Sequence, residues 1–347
     1  MAVKIGKTLI GDNKKTFIVA ELSANHNQKY DIALKTLKAI KASGADAVKL
    51  QTYTADTITL NSKNRYFKIK DGTVWNGKAL YELYKQAYTP WEWHPKLRDT
   101  AIDLGLEWFS SPFDVSAVDF LEKLKIPAYK IASFEITDIP LIEYIASKGK
   151  PVIISSGVAT KNDIENAIRA CRKVRNKKII LLKCTSSYPA KFEEMNLRTI
   201  SDIKKSFNVI PGLSDHTLGT IVPVVAVSLG AKVVEKHFIL DKKLGGPDAN
   251  FSLDPDEFKQ MVDSIRIAEK SLGKVNYALT KSSKNMRKSV RSLFVVKNMK
   301  SGEVLTHDNI RSIRPGYGLH PKYLRKIIGK RIKKNVRKGI PFKWSMV

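Results

Sequence analysis

The chain is expected to fold as an α/β protein, a (β/α)8 TIM barrel followed by a small C-terminal domain. Three observations predict this. Eight short apolar segments alternate with amphipathic helical segments over roughly 270 residues, the length and rhythm of an eightfold barrel. Nearly every apolar segment ends in polar or charged residues, as the mouth of a barrel enzyme requires. Charge divides the chain: residues 281–347 hold 19 Lys and Arg against 2 Asp and Glu, a net +17 of the total +28, leaving +11 for the first 280 residues. That asymmetry argues for two modules. A doubly wound open sheet is the alternative, and the lack of a G-x-G-x-x-G run after the first segment counts against it.

The elements follow in order. Val3–Phe17 reads as a short hairpin with GDNKK as its turn. The strands are expected at Phe17–Glu21, Ala47–Thr52, Glu107–Ser110, Ala128–Ala132, Pro151–Ser155, Ile179–Cys184, Val209–Leu213 and Val233–Phe238. Helical spacing marks Tyr30–Ser43, Ser116–Leu124, Pro140–Ser147, Lys161–Val174, Thr220–Leu229 and a closing helix at Pro255–Leu272. A long insertion, Tyr53–Pro90, carries Tyr66, Phe67, Trp75, Tyr81, Tyr84 and Tyr88; its aromatics favour an ordered lid or subunit contact. Pro90 in TPWEWH suits the first turn of a helix, with His94 on that helix's surface. Asn276–Ser289 is a polar linker, and Arg291–Val347 shows short strands and turns, a unit of about 60 residues that is marginal alone.

Chemistry concentrates at the strand ends. In VVEKHFIL, Val233–Leu240, Glu235 and His237 are two apart and point the same way on a strand. A second histidine, His216, ends the stretch before it. Two imidazoles from neighbouring strand ends, with carboxylates nearby, suit a divalent metal with open positions; two unrelated polar residues are the alternative. The other ends read Glu21, Lys49 with Gln51, Ser110–Ser111, Lys130 with Ser133, Ser155–Ser156–Gly157, Lys183 with Ser186, and Ser214–Asp215. Three lysines among serine hydroxyls and a glycine loop suit a phosphate or carboxylate; structural salt bridges are the alternative. Asp248, after the Gly245-Gly246-Pro247 turn, is either a turn carboxylate or a substrate contact.

The high positive charge suggests nucleic-acid binding, but no zinc finger, RRM or basic arm accompanies it and the lysines are scattered. A compositional bias, or a field that draws in anionic metabolites, accounts for it as well. Two cysteines, Cys171 and Cys184, argue against a disulfide framework and fit a reducing cytoplasm. No secretory leader and no apolar run approaching ~20 residues is present, so no membrane partner is expected.

The motifs FIVAELSANHN, AVKLQTY, WFSSPFD, YKIAS, ISSGVAT, LLKCTSSYP, GLSDHT, VVEKHF and GGPDANFSL occur in this order, before a tail with RSL, SGEVLTHDNI and RPGYGLHP. Together they resemble the sialic acid synthase family, which joins a barrel to an antifreeze-like (SAF) domain. The resemblance implies a barrel over 1–275, a linker over 276–289 and a SAF domain over 290–347. It implies condensation of phosphoenolpyruvate with an open-chain acetamido sugar, and a divalent metal, Mn²⁺ or Mg²⁺, held by His216 and His237. Positions matching phosphoenolpyruvate contacts are Lys49, Ser111, Lys130, Ser133, Ser155, Lys183, Ser186 and Ser214. Ser186 stands where the neuraminate enzymes tend to carry Asn. Sugar-side matches are Glu21, Gln51, Tyr188, Glu235 and Asp248. Arg314 matches an arginine that the SAF domain inserts into a partner's site in a domain-swapped homodimer. Glu21, Glu235 and Lys49 are the candidate catalytic groups. Within the family, ELSANHNQ, TPWEWH and GGPDANFSL most resemble the pseudaminic acid branch. The N-acetylneuraminate and legionaminate branches usually show an EIGxNHNG-like first motif and a GPDH-like loop; here Ser23 and Ala24 stand in the first, and Ala249 follows Asp248.

Overall fold

Each of the eight apolar segments forms a strand, and the eight close on themselves. After a hairpin of β1 (Ala2–Ile5) and β2 (Thr8–Gly11), the barrel runs through β3 (Phe17–Glu21), β4 (Ala47–Thr52), β5 (Glu107–Pro112), β6 (Tyr129–Ile131), β7 (Val152–Ser155), β8 (Ile179–Cys184), β9 (Ile210–Asp215) and β10 (Val233–His237). All neighbours are parallel, and β10 closes onto β3, with His237 opposite Glu21. This computed structural model describes residues 1–70 and 75–347. They divide into two compact units, Met1–Gly273 and Lys274–Val347.

The strands read as continuous apolar runs because both their faces are covered. Every residue of β3, β7, β9 and β10 is buried. The core gathers Phe17, Ile18, Val48, Phe109, Ile153, Leu181 and Val234 from the strands with Leu37, Ile142, Ile168 and Ile265 from the helices. Helix starts carry the expected caps. Thr160 and Asp163 form a capping box for Lys161–Lys173, and Asp254 with Glu257 does so for Pro255–Leu272, whose Pro255 sits in the first turn.

Several expectations need correcting. The hairpin reverses at Gly6 and Lys7, not at GDNKK: Ile5 pairs with Thr8, and Gly6 takes a positive φ of 54°. The GDNKK stretch instead joins the hairpin to β3. His94 lies at the start of the helix His94–Asp103 but is fully buried. Its ring lies 2.9 Å from Thr52 Oγ1 on the outer face of β4. Pro90 precedes a 3-10 turn, Trp91–Trp93, which turns that ring inward. β6 is shorter than expected, and β9 runs two residues further than expected, so Asp215 belongs to the strand.

The insertion after β4 is ordered where it is described, with helices Ala55–Ile58 and Leu80–Ala87 and a 3-10 turn at Arg65–Phe67. Residues 71–74 of that expected lid lie outside the described residues.

In the second unit, β11 (Ser292–Val295) and β12 (Ile310–Ile313) pair antiparallel. Leu293, Val295, Leu305, Ile310, Ile327, Ile332 and Phe342 form its own core. The polar stretch expected as a linker contains a helix, Lys281–Met286, capped by Thr280 and exposed throughout.

Candidate active site

The carboxyl ends of the barrel strands surround one cavity of about 440 Å³. Its floor is charged: Lys49, Lys130, Glu235, His216 and His237 line it with Ser133, Ser155 and Ser214. Its outer wall is apolar: Ile58, Ile69, Leu80, Leu83 and Tyr84 come from the insertion after β4, facing Tyr188, Phe113 and Phe134.

At the floor, Lys49 Nζ lies 2.7 Å from Glu235 Oε1 and 2.8 Å from Glu21 Oε2. All three side chains are buried. Burial pulls the Lys49 ammonium down to about 8, with Glu235 resisting. Burial pushes Glu235 up, but Lys49 and Lys130 overcome it and hold the carboxyl at about 2. The pair is therefore charged at neutral pH. Ser214 Oγ donates to the same Glu235 oxygen at 3.2 Å. Gln51 Nε2 donates to Glu21 Oε1 at 3.2 Å and to Ser23 Oγ at 3.0 Å. Ser23, at a positive φ of 45°, donates its amide to Glu21 and its hydroxyl to Asp248. That backbone strain is offset by these bonds.

Hydroxyl groups collect on the opposite side. Gly157 N donates to Ser133 Oγ at 3.1 Å. A Cβ on Gly157 would come within 2.0 Å of Ser186 Oγ and 2.7 Å of Ser133 Oγ, so only glycine permits this approach. The hydroxyls of Ser111 and Ser155 are buried without a hydrogen-bond partner among the described residues, and that of Ser186 lies within reach of the Tyr188 hydroxyl. Unpaired donors around a cavity that two ammonium groups also line suit an anion. Ser111 and Ser186 are not among the residues that line the cavity.

Lys183 does not join them. Residues alternate along β8; Cys184 Sγ faces Ser133 and His216, at 3.5 and 3.9 Å, so Lys183 points to the other side. There its ammonium donates to Cys184 O at 2.6 Å and Thr185 Oγ1 at 3.3 Å. The expectation of three converging lysines is thus met by two.

The imidazoles of His216 and His237 stand with ring centroids 5.4 Å apart. His216 Nδ1 contacts Thr185 O at 3.0 Å, which directs its Nε2 elsewhere. His237 Nδ1 is buried without a hydrogen bond, 3.7 Å from Asp248 Oδ2. Burial, then the charges of His216 and Lys49, hold His237 far below its usual range, so its ring is neutral and keeps a lone pair. The unpartnered His237 Nδ1 and its neutral ring beside His216 suit an open metal site with two nitrogen donors.

Tyr188 stacks within 4.4 Å of the His216 ring and 5.1 Å of Phe251. Arg314 is exposed in the second unit, just after β12. The lining groups missed by sequence reasoning as site residues include Ser23 and Glu135. Glu135 stands two residues beyond Ser133, and burial pushes its carboxyl up to about 7. Both follow strand ends, a signal the sequence carries. His26 and His94 are buried and bonded to threonines away from the cavity lining.

Comparison with known proteins agrees with this geometry. Residues 36–277 match the NeuB family and residues 290–347 match the SAF domain. The chain is 49% identical over 325 residues to a pseudaminic acid synthase of Helicobacter pylori, covering 93% of this chain and 95% of that one. It is 46% identical over 333 residues to the pseudaminic acid synthase of Campylobacter jejuni strain 81-176, covering 96% and 97%. A crystal structure of N-acetylneuraminic acid (sialic acid) synthetase from Leptospira borgpetersenii, in complex with citrate, superimposes with a TM-score of 0.73 at 29% identity, covering 82% and 94%. The chain belongs to the NeuB family, the sialic acid synthases that end in a SAF domain.

Proposed function

We propose that this chain is a pseudaminic acid synthase. It condenses phosphoenolpyruvate with open-chain 2,4-diacetamido-2,4,6-trideoxy-L-altrose and water, giving pseudaminate and phosphate. The observation that carries the reading is the meeting of Lys49, Lys130, Ser155 and Ser214 with His216 and His237 around one cavity. The names of the relatives at 46% and 49% identity support the acceptor. So does the apolar outer wall, which suits a 6-deoxy methyl group and acetamido methyls better than a 6-hydroxyl.

Lys49 and Lys130 neutralise the carboxylate and phosphate of phosphoenolpyruvate; the hydroxyls of Ser133 and Ser155 donate to its oxygens, Ser214 joins them when its hydrogen turns from Glu235, and Ser111 and Ser186 back this layer. C3 of phosphoenolpyruvate forms the new bond to the aldehyde carbon. Water adds to the cation left at C2, and the tetrahedral carbon then expels phosphate by C–O cleavage. Glu235 or Glu21, both on Lys49, orients and deprotonates that water. Gln51, Tyr188 and Asp248 face the sugar. His216 and His237 would hold a divalent metal, Mn²⁺ or Mg²⁺, whose chemistry when bound is Lewis-acid polarisation of the aldehyde oxygen. Lys183 is assigned no contact with phosphoenolpyruvate. Arg314 is assigned to the mouth of a second copy in a homodimer, on the family resemblance; light scattering that finds a monomer removes that assignment.

A phosphate-release assay with three acceptors tests the reading. The 6-deoxy altrose is expected to give a kcat/KM at least about tenfold above N-acetylmannosamine and the legionaminate precursor, since one methyl in an apolar pocket carries about that discrimination. Equal or reversed preference overturns it.

A further inference from the structure

We infer that Lys236 and Asp215, on the outer face of the barrel wall, position the two histidines of the mouth. The inference rests on the metal reading above. β9 and β10 pair with Glu235 opposite Ser214 and Lys236 opposite Asp215. The next residue in each case is a histidine, His216 just past the end of β9 and His237 at the end of β10. Alternation sends Ser214, His216, Glu235 and His237 toward the cavity and Asp215 and Lys236 away from it.

On that outer side Lys236 Nζ lies 2.5 Å from Asp215 Oδ2, and both side chains are fully buried. The same ammonium donates to Thr217 O. Asp215 in turn accepts from Thr217 N at 3.0 Å and from Thr217 Oγ1 at 2.9 Å. The network thus fixes the residues on both sides of His216 and the residue before His237.

A buried ion pair is weak evidence of stability, since an apolar pair of similar volume often folds as well or better. Its better-supported use is to set register. Register matters here because a slip of one residue on β9 or β10 would turn its histidine and its partner carboxylate or serine out of the cavity. None of Lys236, Asp215 and Thr217 lines the cavity, so they act through the histidines as positioning residues.

The test compares the wild-type protein with His237→Ala and with the double variant Lys236→Met/Asp215→Leu. The double variant leaves no unpaired charge, but it adds volume at position 215 and strips Thr217 of its partners, so its thermal midpoint should fall by several degrees with the fold retained. Mn²⁺ affinity is read by electron paramagnetic resonance without substrates, and KM for phosphoenolpyruvate is read separately. Loss of groups that orient metal ligands typically costs 10- to 100-fold in affinity, and a weakening of that order is expected in the double variant. Its KM for phosphoenolpyruvate should rise by a smaller factor than Mn²⁺ affinity falls, because Lys49 and Lys130 sit on other strands and Ser214 is the one assigned phosphoenolpyruvate contact on β9. Wild-type Mn²⁺ affinity in the double variant overturns the inference. So does an equal loss in Mn²⁺ affinity and in KM, which would mean general loosening. Should the wild-type protein bind no Mn²⁺, the metal reading fails and takes this one with it, an outcome separate from the other two.

Discussion

Gly157 and Ser186 approach so closely that a methyl group on the first would stand 2.0 Å from the hydroxyl of the second. The contact joins the loop after β7 to the loop after β8, with Ser133 Oγ bonded to the same glycine. A Gly157→Ala variant must push both serines outward. KM for phosphoenolpyruvate is expected to rise by about tenfold, the worth of one or two displaced charge-assisted hydrogen bonds. The KM for the sugar should change little. Steady-state kinetics with each substrate varied in turn checks this, and an unchanged KM for phosphoenolpyruvate removes the serine cluster from the anion site.

Lys49 sets an alkaline limb. Burial brings its ammonium down to about 8, and it is the protonated form that neutralises an anion. kcat/KM for phosphoenolpyruvate should therefore fall above about pH 8, approaching tenfold per pH unit. Glu235 raises the Lys49 value, so Glu235→Gln should move the limb to lower pH. Lys49→Arg should abolish the limb in this range whatever its rate, since guanidinium does not titrate there. A wild-type profile flat to pH 10 contradicts the assignment.

Two further substitutions separate the roles at the floor. His237→Ala should lower turnover by a factor on the order of 100 or more, with Mn²⁺ additions giving no recovery, as loss of a direct ligand exceeds loss of its supports. Lys130→Ala should raise KM for phosphoenolpyruvate far more than KM for the sugar, with kcat less affected, the pattern of lost ground-state binding. Wild-type kinetics in both variants would falsify the site assignment.

His26 and His94 make stability depend on pH without touching the cavity. Burial lowers each to about 4, with a smaller effect of His94 on His26. The unfolded chain takes up protons at these rings near 6.5. Between pH 6.5 and 4 the unfolded state binds more protons, so the contribution is complete above 6.5 and is lost as pH falls toward 4. It is on the order of 3 kcal/mol for each ring. Urea unfolding from pH 7.5 to 4.5 should show the decline, and His26→Gln/His94→Gln should flatten it.

The barrel and its mouth were legible in the chain for one reason. A strand buried on both faces must be apolar along its length, so a polar residue at its end stands out. Glu21, Lys49, Lys130, Ser155, Ser214, Glu235 and His237 were found this way. Distance along the chain says little about what a side chain meets. His94 was placed on a helix surface from its position near the start of the helix alone, whereas its ring lies buried 2.9 Å from Thr52 on β4. Lys183 was grouped with Lys49 and Lys130 by its place at a strand end, but the parity of β8 sends it outward while Cys184 faces in. The apolar wall of the mouth comes from Ile58, Ile69, Leu80, Leu83 and Tyr84, whose own spacing does not say what they face.

The sequence by itself determined the eightfold alternation, the division into two modules, and which residue types gather at the strand ends, because these follow from local periodicity and charge. Only the tertiary structure decided which of those side chains converge, which hydroxyls are left unpaired, and that Lys236 and Asp215 meet behind the histidines. Those outcomes depend on strand parity, register and barrel closure, and closure brings together residues more than 200 positions apart, such as Glu21 and His237.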